Sequence, residues 1–209
     1  MSKDRPKLAS GLARLGLEVL DDGVDKLLAY MELLQEWSGT YNLVAPGERP
    51  FLLARHILDS LSIAAWLQGD SLLDIGTGAG LPGLPLAIVR PGIQVSLMDG
   101  AGKKIRFIRH VARELGLANV HPLHRRAEEA STGVFSSITS RAFASLKGFA
   151  GAARQHADDN TRLLAMKAAY PTQELEELPG WVNVESVEAL AVPYLHAERH
   201  LVIMSVEAF

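Results

Sequence analysis

The chain has 209 residues, 48% hydrophobic and 22% charged, enough apolar material for one buried core and at most a small accessory lobe. It contains no cysteine, which excludes disulfides and thiolate metal sites and fits an intracellular protein. A net charge of −3 excludes a small, uniformly basic nucleic-acid binder but leaves room for a local basic patch.

The first residues, MSKDRPKLASGLARLGL, carry neither a sustained apolar run nor a small-residue cleavage site, and no apolar run approaches the ~18 residues of a bilayer span. A cytoplasmic protein without a membrane partner is expected. Asp21-Asp22-Gly23 reads as a cap, and Val24, Leu27, Leu28, Met31 and Leu34 then place one apolar face on a helix running to about residue 37. Residues 38–50 read as a Gly/Pro-containing loop, followed by a second helix over 51–67 with Leu52, Ile57, Leu61 and Ala65 facing inward.

After Gly69-Asp70 the pattern changes to short apolar runs alternating with helical segments. Strands are expected near 72–73, 95–98, 120–123, 135–139 and 163–166, with helices near 84–89 and 101–115. No clear helix separates the last two runs, 182–187 and 201–206, so they should form a closing antiparallel pair. The chain therefore reads as a single α/β domain: a helical N-terminal portion (1–68) packed on a doubly wound, mostly parallel seven-stranded core (69–209).

Directly behind the first strand stands LLDIGTGAGLPG. Glycine lacks a Cβ and tolerates positive φ, so such a loop lets backbone approach a ligand. Gly78-Ala79-Gly80-Leu81-Pro82-Gly83 matches the dinucleotide fingerprint, and Gly76-Thr77-Gly78-Ala79-Gly80 equally matches the loop of S-adenosylmethionine (SAM) methyltransferases. Asp99 sits at the end of the second strand, where either cofactor presents its ribose. Asp74 favours SAM, because a strand-tip carboxylate repels a pyrophosphate but attracts an ammonium or sulfonium. Pro82 and Pro85 agree, since proline removes N–H donors that a pyrophosphate needs.

Between residues 103 and 126 stand Lys103, Lys104, Arg106, Arg109, Arg113, Arg125 and Arg126 against the single acid Glu114. At 100° per residue, Lys103, Arg106, Arg109, His110 and Arg113 share one face of the 101–115 helix, with Ile105, Ile108, Val111, Ala112 and Leu115 opposite. A one-sign face of this kind suits phosphates and disfavours a small-molecule methyltransferase. His56 and Asp59 are neighbours at i, i+3 and read as a surface or interface pair; no metal-ligand spacing is evident. Ser140-Arg141-Ala142-Phe143 lies at the carboxyl edge of the expected sheet, where α/β folds bind ligands. Phe143 either stacks on a base or fills core.

These residues together resemble the RsmG (GidB) family of bacterial ribosomal RNA methyltransferases. The likeness rests on Tyr41-Asn42-Leu43, Arg55-His56-Ile57-Leu58-Asp59-Ser60, Leu73 through Gly83, Ser140-Arg141-Ala142-Phe143-Ala144-Ser145-Leu146 and Glu198-Arg199-His200-Leu201, in this order. It implies SAM-dependent methylation of guanine N7 in the decoding region of 16S ribosomal RNA; 16S RNA or the small subunit is the expected partner, and a monomer is expected. It also implies that Gly76, Gly78, Gly80 and Leu81 line the cofactor loop, Ala127 and Glu128 meet the adenosine, and Arg141 closes the site. Ser136-Ser137 stands where the family carries Asp-Gly, near the expected substrate edge, and Met166-Lys167-Ala168 replaces Leu-Lys-Gly with Lys167 kept. Guanine N7 has a lone pair and no proton to lose, so no general base is expected. Arg55, His56, Lys103, Arg106, Arg109, Arg113, Lys167 and Arg199 are the expected RNA-facing residues. Two other classes stay open: a NAD-dependent oxidoreductase, and a module that binds SAM or RNA without turnover.

Overall fold

Leu72, Leu73, Asp74 and Ile75 are all buried, so β1 (Ser71–Ile75) is a central strand covered on both faces. A computed structural model describes residues 3–129, 131–141 and 143–207, so Ala142 of the Ser-Arg-Ala-Phe segment lies outside the described residues. The other strands are β2 (Gln94–Asp99), β3 (Val120–His124), β4 (Ser137–Ser140), β5 (Arg162–Lys167), β6 (Val182–Ala189) and β7 (His200–Val206). They form one seven-stranded sheet in the order β3-β2-β1-β4-β5-β7-β6. The first five pair in parallel, and β7 inserts antiparallel between β5 and β6. The closing antiparallel pair expected from the missing helix is present.

Helices α1 (Arg5–Arg14), α2 (Asp21–Tyr41), α4 (Gly83–Val89) and α5 (Gly102–Glu114) share one hydrophobic core with one face of the sheet. Helix α6 (Leu146–Arg154) packs into a second core on the other face, and a short α7 (Thr172–Glu176) adjoins it. The α2 helix is longer than its periodicity suggested, and Asp21 and Asp22 occupy its first turn, where they complement the helix dipole without capping through a side chain.

The expected helix over 51–67 is broken instead. Residues Pro46–Phe51 form a 3₁₀ turn, Leu52–Leu58 a π-helix, Asp59–Leu61 a short α3 and Ala64–Trp66 a second 3₁₀ turn. Pro50 has no N–H to give, and the segment is buried nearly all round, so packing against α1 and α4 overrides any single apolar face. Ala65, expected inside, is exposed, whereas Asp59 and Ser60 are buried.

Strand order reverses at β1, which pairs with β2 on one side and β4 on the other. The carboxyl ends of β1 and β4 therefore open a crevice at Gly76 and Arg141. Ser136 and Ser137 lie at the opposite end of β4, bonded to Ser71 and Gln68 at the amino edge of the sheet. Their departure from the family pattern is thus remote from the crevice, correcting its expected place near the substrate.

Candidate active site

The glycine loop is closed on itself. Gly76 and Thr77 donate their N–H groups to Met98 O, Gly80 and Leu81 donate to Thr77 O, and Leu84 donates to Gly80 O. Gly78 donates to Asp99 Oδ2 at 3.0 Å and Gly83 to Asp74 Oδ2 at 2.9 Å. These donors are satisfied within the protein, so they do not form the outward N–H cradle that a pyrophosphate requires. Gly78 adopts φ 62°, a conformation that puts its N–H on Asp99. A Cβ at Gly83 would lie 2.0 Å from Leu97 Cδ2 and 2.9 Å from Asp74 Oδ2, so the turn sits directly on the sheet.

Asp74 is fully buried beneath this loop, and its role passes through the loop rather than through an open face. Oδ2 also accepts from Thr77 Oγ1 at 2.6 Å, while Oδ1 is buried with no hydrogen-bond partner among the described residues. Burial raises the carboxyl from 3.8 to about 6, against the pull of the Thr77 and Gly83 hydrogen bonds. Because the folded value is raised, the stabilising contribution is complete below the unfolded value and is lost as pH rises through about 6. Asp74→Asn keeps an acceptor for Thr77 and Gly83 but does not titrate. Its stability relative to the natural chain should rise by about 3 kcal/mol between about pH 4 and about pH 7, then stay level. Urea midpoints across that range measure this, and a flat difference would contradict it.

From the amide side, Tyr30 of α2 reaches under the loop and donates its hydroxyl to Ala79 O at 2.8 Å. Tyr30 is fully buried, and burial raises its phenol strongly. The N-terminal helices are thus bonded to the loop as well as packed on it.

Three adjoining cavities run along the carboxyl edge. The first, about 440 Å³, is lined by Gly76, Asp99, Ala127, Glu128 and Phe143 among others. The second, about 310 Å³, shares Gly76 and adds Gly78, Leu81, Glu48, His56 and Arg141. The third, about 370 Å³, shares Glu48, His56 and Arg141 and adds Arg55, Asp59, Lys167 and Arg199. Phe143 packs on Phe149, with centroids 5.8 Å apart, as a core residue does, and it also borders the first cavity. Asp99 accepts from Ala101 N at 2.8 Å and Lys104 Nζ at 3.1 Å as well as from Gly78. Gly80 lines none of the three and works by shaping the turn.

The third cavity is organised by Asp59, which is 2% exposed. Arg199 Nε donates to its Oδ1 at 2.9 Å and Arg141 Nη1 to its Oδ2 at 3.4 Å. Burial raises this carboxyl although both arginines pull it down. Arg141 also donates to His56 Nδ1 at 3.2 Å, which places the imidazole proton on Nε2. Burial, reinforced by the Arg141 charge, lowers His56 to about 4, so the ring is neutral at physiological pH. Of the i, i+3 pair read as a surface or interface pair, Asp59 is buried and joins Arg141 and Arg199 at the centre of the site. Arg55 Nη1 donates to Glu48 Oε1 at 2.8 Å, and Lys167 Nζ to Glu174 Oε2 at 2.6 Å.

The residues expected to face RNA fall into two groups. Arg55, His56, Lys167 and Arg199 converge on the groove. Lys103, Arg106, Arg109 and Arg113 are exposed on α5 and line none of the three cavities; Lys103 stands in the first turn, and a rise of about 1.5 Å per residue carries Arg106, Arg109 and Arg113 progressively away from the carboxyl edge. Among the described residues no ion pair engages Lys103, Arg106 or Arg109, whereas Arg113 pairs with Glu114 at 3.0 Å. His110 lies 3.1 Å from Arg113 Nη2 on that face and also stacks on Trp37. Glu48 and Tyr30 belong to the site yet lie outside every motif singled out in the sequence, whereas Asp59 stands within the Arg55–Ser60 segment.

A family model for rRNA small subunit methyltransferase G (GidB) matches residues 24–202. The chain belongs to this family. A methyltransferase G from Pseudomonas syringae pv. tomato is 43% identical over 199 residues, covering 95% of this chain and 94% of that one. The corresponding protein of Yersinia enterocolitica is 44% identical over 200 residues, covering 95% and 97%. The fold matches that of the glycopeptide N-methyltransferase MtfA in complex with SAM, with TM-score 0.63 at 11% identity over 73% of this chain and 95% of that one. It also matches ribosomal protein L11 methylase from Lactobacillus delbrueckii subsp. bulgaricus, with TM-score 0.56 at 15% identity over 72% and 77%. Family and fold make the chain a SAM-dependent methyltransferase; neither an oxidoreductase nor a binding module without turnover is favoured.

Proposed function

We propose that the chain, acting as a cytoplasmic monomer, methylates N7 of a guanine in the decoding region of 16S ribosomal RNA, naked or within the small subunit. The observation that carries this reading is the adjacency of the cavities: the loop-side one shares Glu48, His56 and Arg141 with one lined also by Arg55, Lys167 and Arg199. Among the described residues no helix is long and apolar enough to cross a membrane.

The loop-side residues fit SAM. The loop's inward-turned donors suit a cofactor without a pyrophosphate, and the orphaned Oδ1 of Asp74 leaves negative charge beneath the loop. Asp99 uses three of its roughly four acceptor positions within the protein, which leaves one for a ribose hydroxyl. Ala127 and Glu128, on the first cavity with Phe143, would hold the adenosine, and Arg141 would close the site. Once bound, SAM supplies an electrophilic methyl group.

The chain's own task is then positioning. Guanine N7 attacks with its lone pair, so nothing must remove a proton, and a groove whose one histidine is neutral suits that demand. Alignment can supply several kcal/mol of the barrier. The groove's cations are matched by Glu48, Asp59 and Glu174, which makes them fixed points for phosphates rather than a diffuse field. Lys103, Arg106 and Arg109 provide the diffuse field. Lys7 and Arg14 of α1 lie over the Tyr194 ring at 4.9 and 5.2 Å.

Replacing Lys103, Arg106 and Arg109 together with alanine should reduce the slope of log affinity against log salt by about 2 to 3, with turnover at saturating RNA unchanged. Filter binding of a small-subunit RNA fragment measures the slope, and an unaltered slope would remove α5 from the RNA surface. Transfer of labelled methyl from SAM to small subunits tests the proposal as a whole.

A further inference from the structure

Methylation at N7 constrains how guanine can be recognised. Elsewhere arginine and lysine read guanine through O6 and N7, but here N7 must be left open to the methyl group. Selectivity must then come from the Watson–Crick edge, where guanine offers N1–H and the 2-amino group, both donors. Donors in a row call for an acceptor, and a carboxylate with two oxygens matches that pair.

Two carboxylates line the basic cavity, Asp59 and Glu48. Asp59 is unavailable, since it is buried and both oxygens are occupied by guanidinium groups. Glu48 is different. It lines both the loop-side cavity and the basic one, so it stands at their junction, and its side chain is 36% exposed. Arg55 holds Oε1 at 2.8 Å, while Oε2 accepts no hydrogen bond among the described residues and lies 3.7 Å from His56 Nε2. The backbone is also fixed. Glu48 N donates to Ala45 O at 2.9 Å in the 3₁₀ turn Pro46–Phe51, and the adjacent Arg49 donates to Ser38 O at 2.7 Å.

We infer that Glu48 reads the Watson–Crick edge of the target guanine, accepting from N1–H and the 2-amino group, an assignment that rests on the guanine-N7 reading above. The same carboxylate faces adenine with a lone pair at N1 and so rejects it. Arg55 then has two tasks, since it orients Glu48 and stacks on the Phe51 ring at 4.2 Å, stiffening the rim of the pocket.

The test compares RNA fragments carrying guanine or inosine at the target position, at saturating SAM. Inosine keeps N7 and N1–H but lacks the 2-amino group. For the natural chain kcat/KM should fall about 10- to 100-fold on inosine, the range of one lost bidentate contact. In Glu48→Gln and in Glu48→Ala the guanine rate should fall by a similar factor, and the guanine-to-inosine ratio should drop to within about threefold of one. An undiminished ratio in both variants would overturn the inference and leave Glu48 as a partner of Arg55 alone. Weakened SAM binding with the ratio intact would also overturn it, placing Glu48 against the cofactor. If the natural chain forms no N7-methylguanine, the guanine reading itself fails and the inference with it.

Discussion

Asp59→Ala should destabilise the chain by about 3–5 kcal/mol and slow methyl transfer by about 100-fold or more. The carboxylate is 2% exposed and neutralises Arg199 and Arg141, whose side chains are only 20% and 24% exposed. Truncation leaves both guanidinium groups facing each other in a low-dielectric pocket without their counter-charge. Among the described residues no other carboxylate pairs with either guanidinium, since Glu48 pairs with Arg55, and His56 is neutral. Arg141 would lose its charged partner and keep only the bonds to His56 Nδ1 and Arg55 O, and a displacement of about 1 Å at a positioning group costs on the order of 100-fold. Asp59→Asn, which keeps the volume and one acceptor, should fall between the two. Urea unfolding and steady-state transfer measure both quantities; a stability loss below about 1 kcal/mol would contradict the hub assigned to Asp59.

Asp74→Ala should cost about 2–4 kcal/mol and weaken SAM binding at least about tenfold. It strands two buried donors, the Thr77 hydroxyl and the Gly83 N–H, each worth about 1–3 kcal/mol when left unsatisfied. The loop rests on Asp74 at close quarters, so its shape depends on those two bonds. Calorimetric titration with SAM measures the affinity. Unchanged affinity would separate the loop's shape from its ligand and contradict the role given to Asp74.

Asp74 at the tip of an apolar run was expected to face the ligand, because sequence places a residue on a strand but does not say which atoms close over it. Thr77 and Gly83 do so, by a turn whose bonds are local but whose shape is tertiary. Asp59 looked like a surface partner of His56, since i, i+3 spacing fixes a shared face and carries no information about depth. Its partners Arg141 and Arg199 lie 82 and 140 residues away. The π-helix hid the segment further, because burial on nearly every side erases the 3.6-residue period from which a helix is read.

The sheet was far more legible. Apolar runs alternating with amphipathic helices specify a parallel sheet, and the missing helix before residue 201 specified its antiparallel closure. Strand boundaries were less so. The run over 135–139 became Ser137–Ser140, and because β4 runs parallel to β1 its start, Ser136-Ser137, lies at the amino edge, opposite the substrate edge. The basic face of α5 was correctly seen at Lys103, Arg106 and Arg109, but its separation from the groove follows from where β2 ends and α5 begins, which no charge pattern encodes.

The most direct measurement incubates the purified chain and SAM with small ribosomal subunits, or their RNA, from cells lacking the protein, and maps the product by nuclease digestion and mass spectrometry. A single new N7-methylguanine within the decoding region, abolished when that guanine is replaced by 7-deazaguanine, is the predicted result. No transfer, or a methyl group on any other atom, would contradict it.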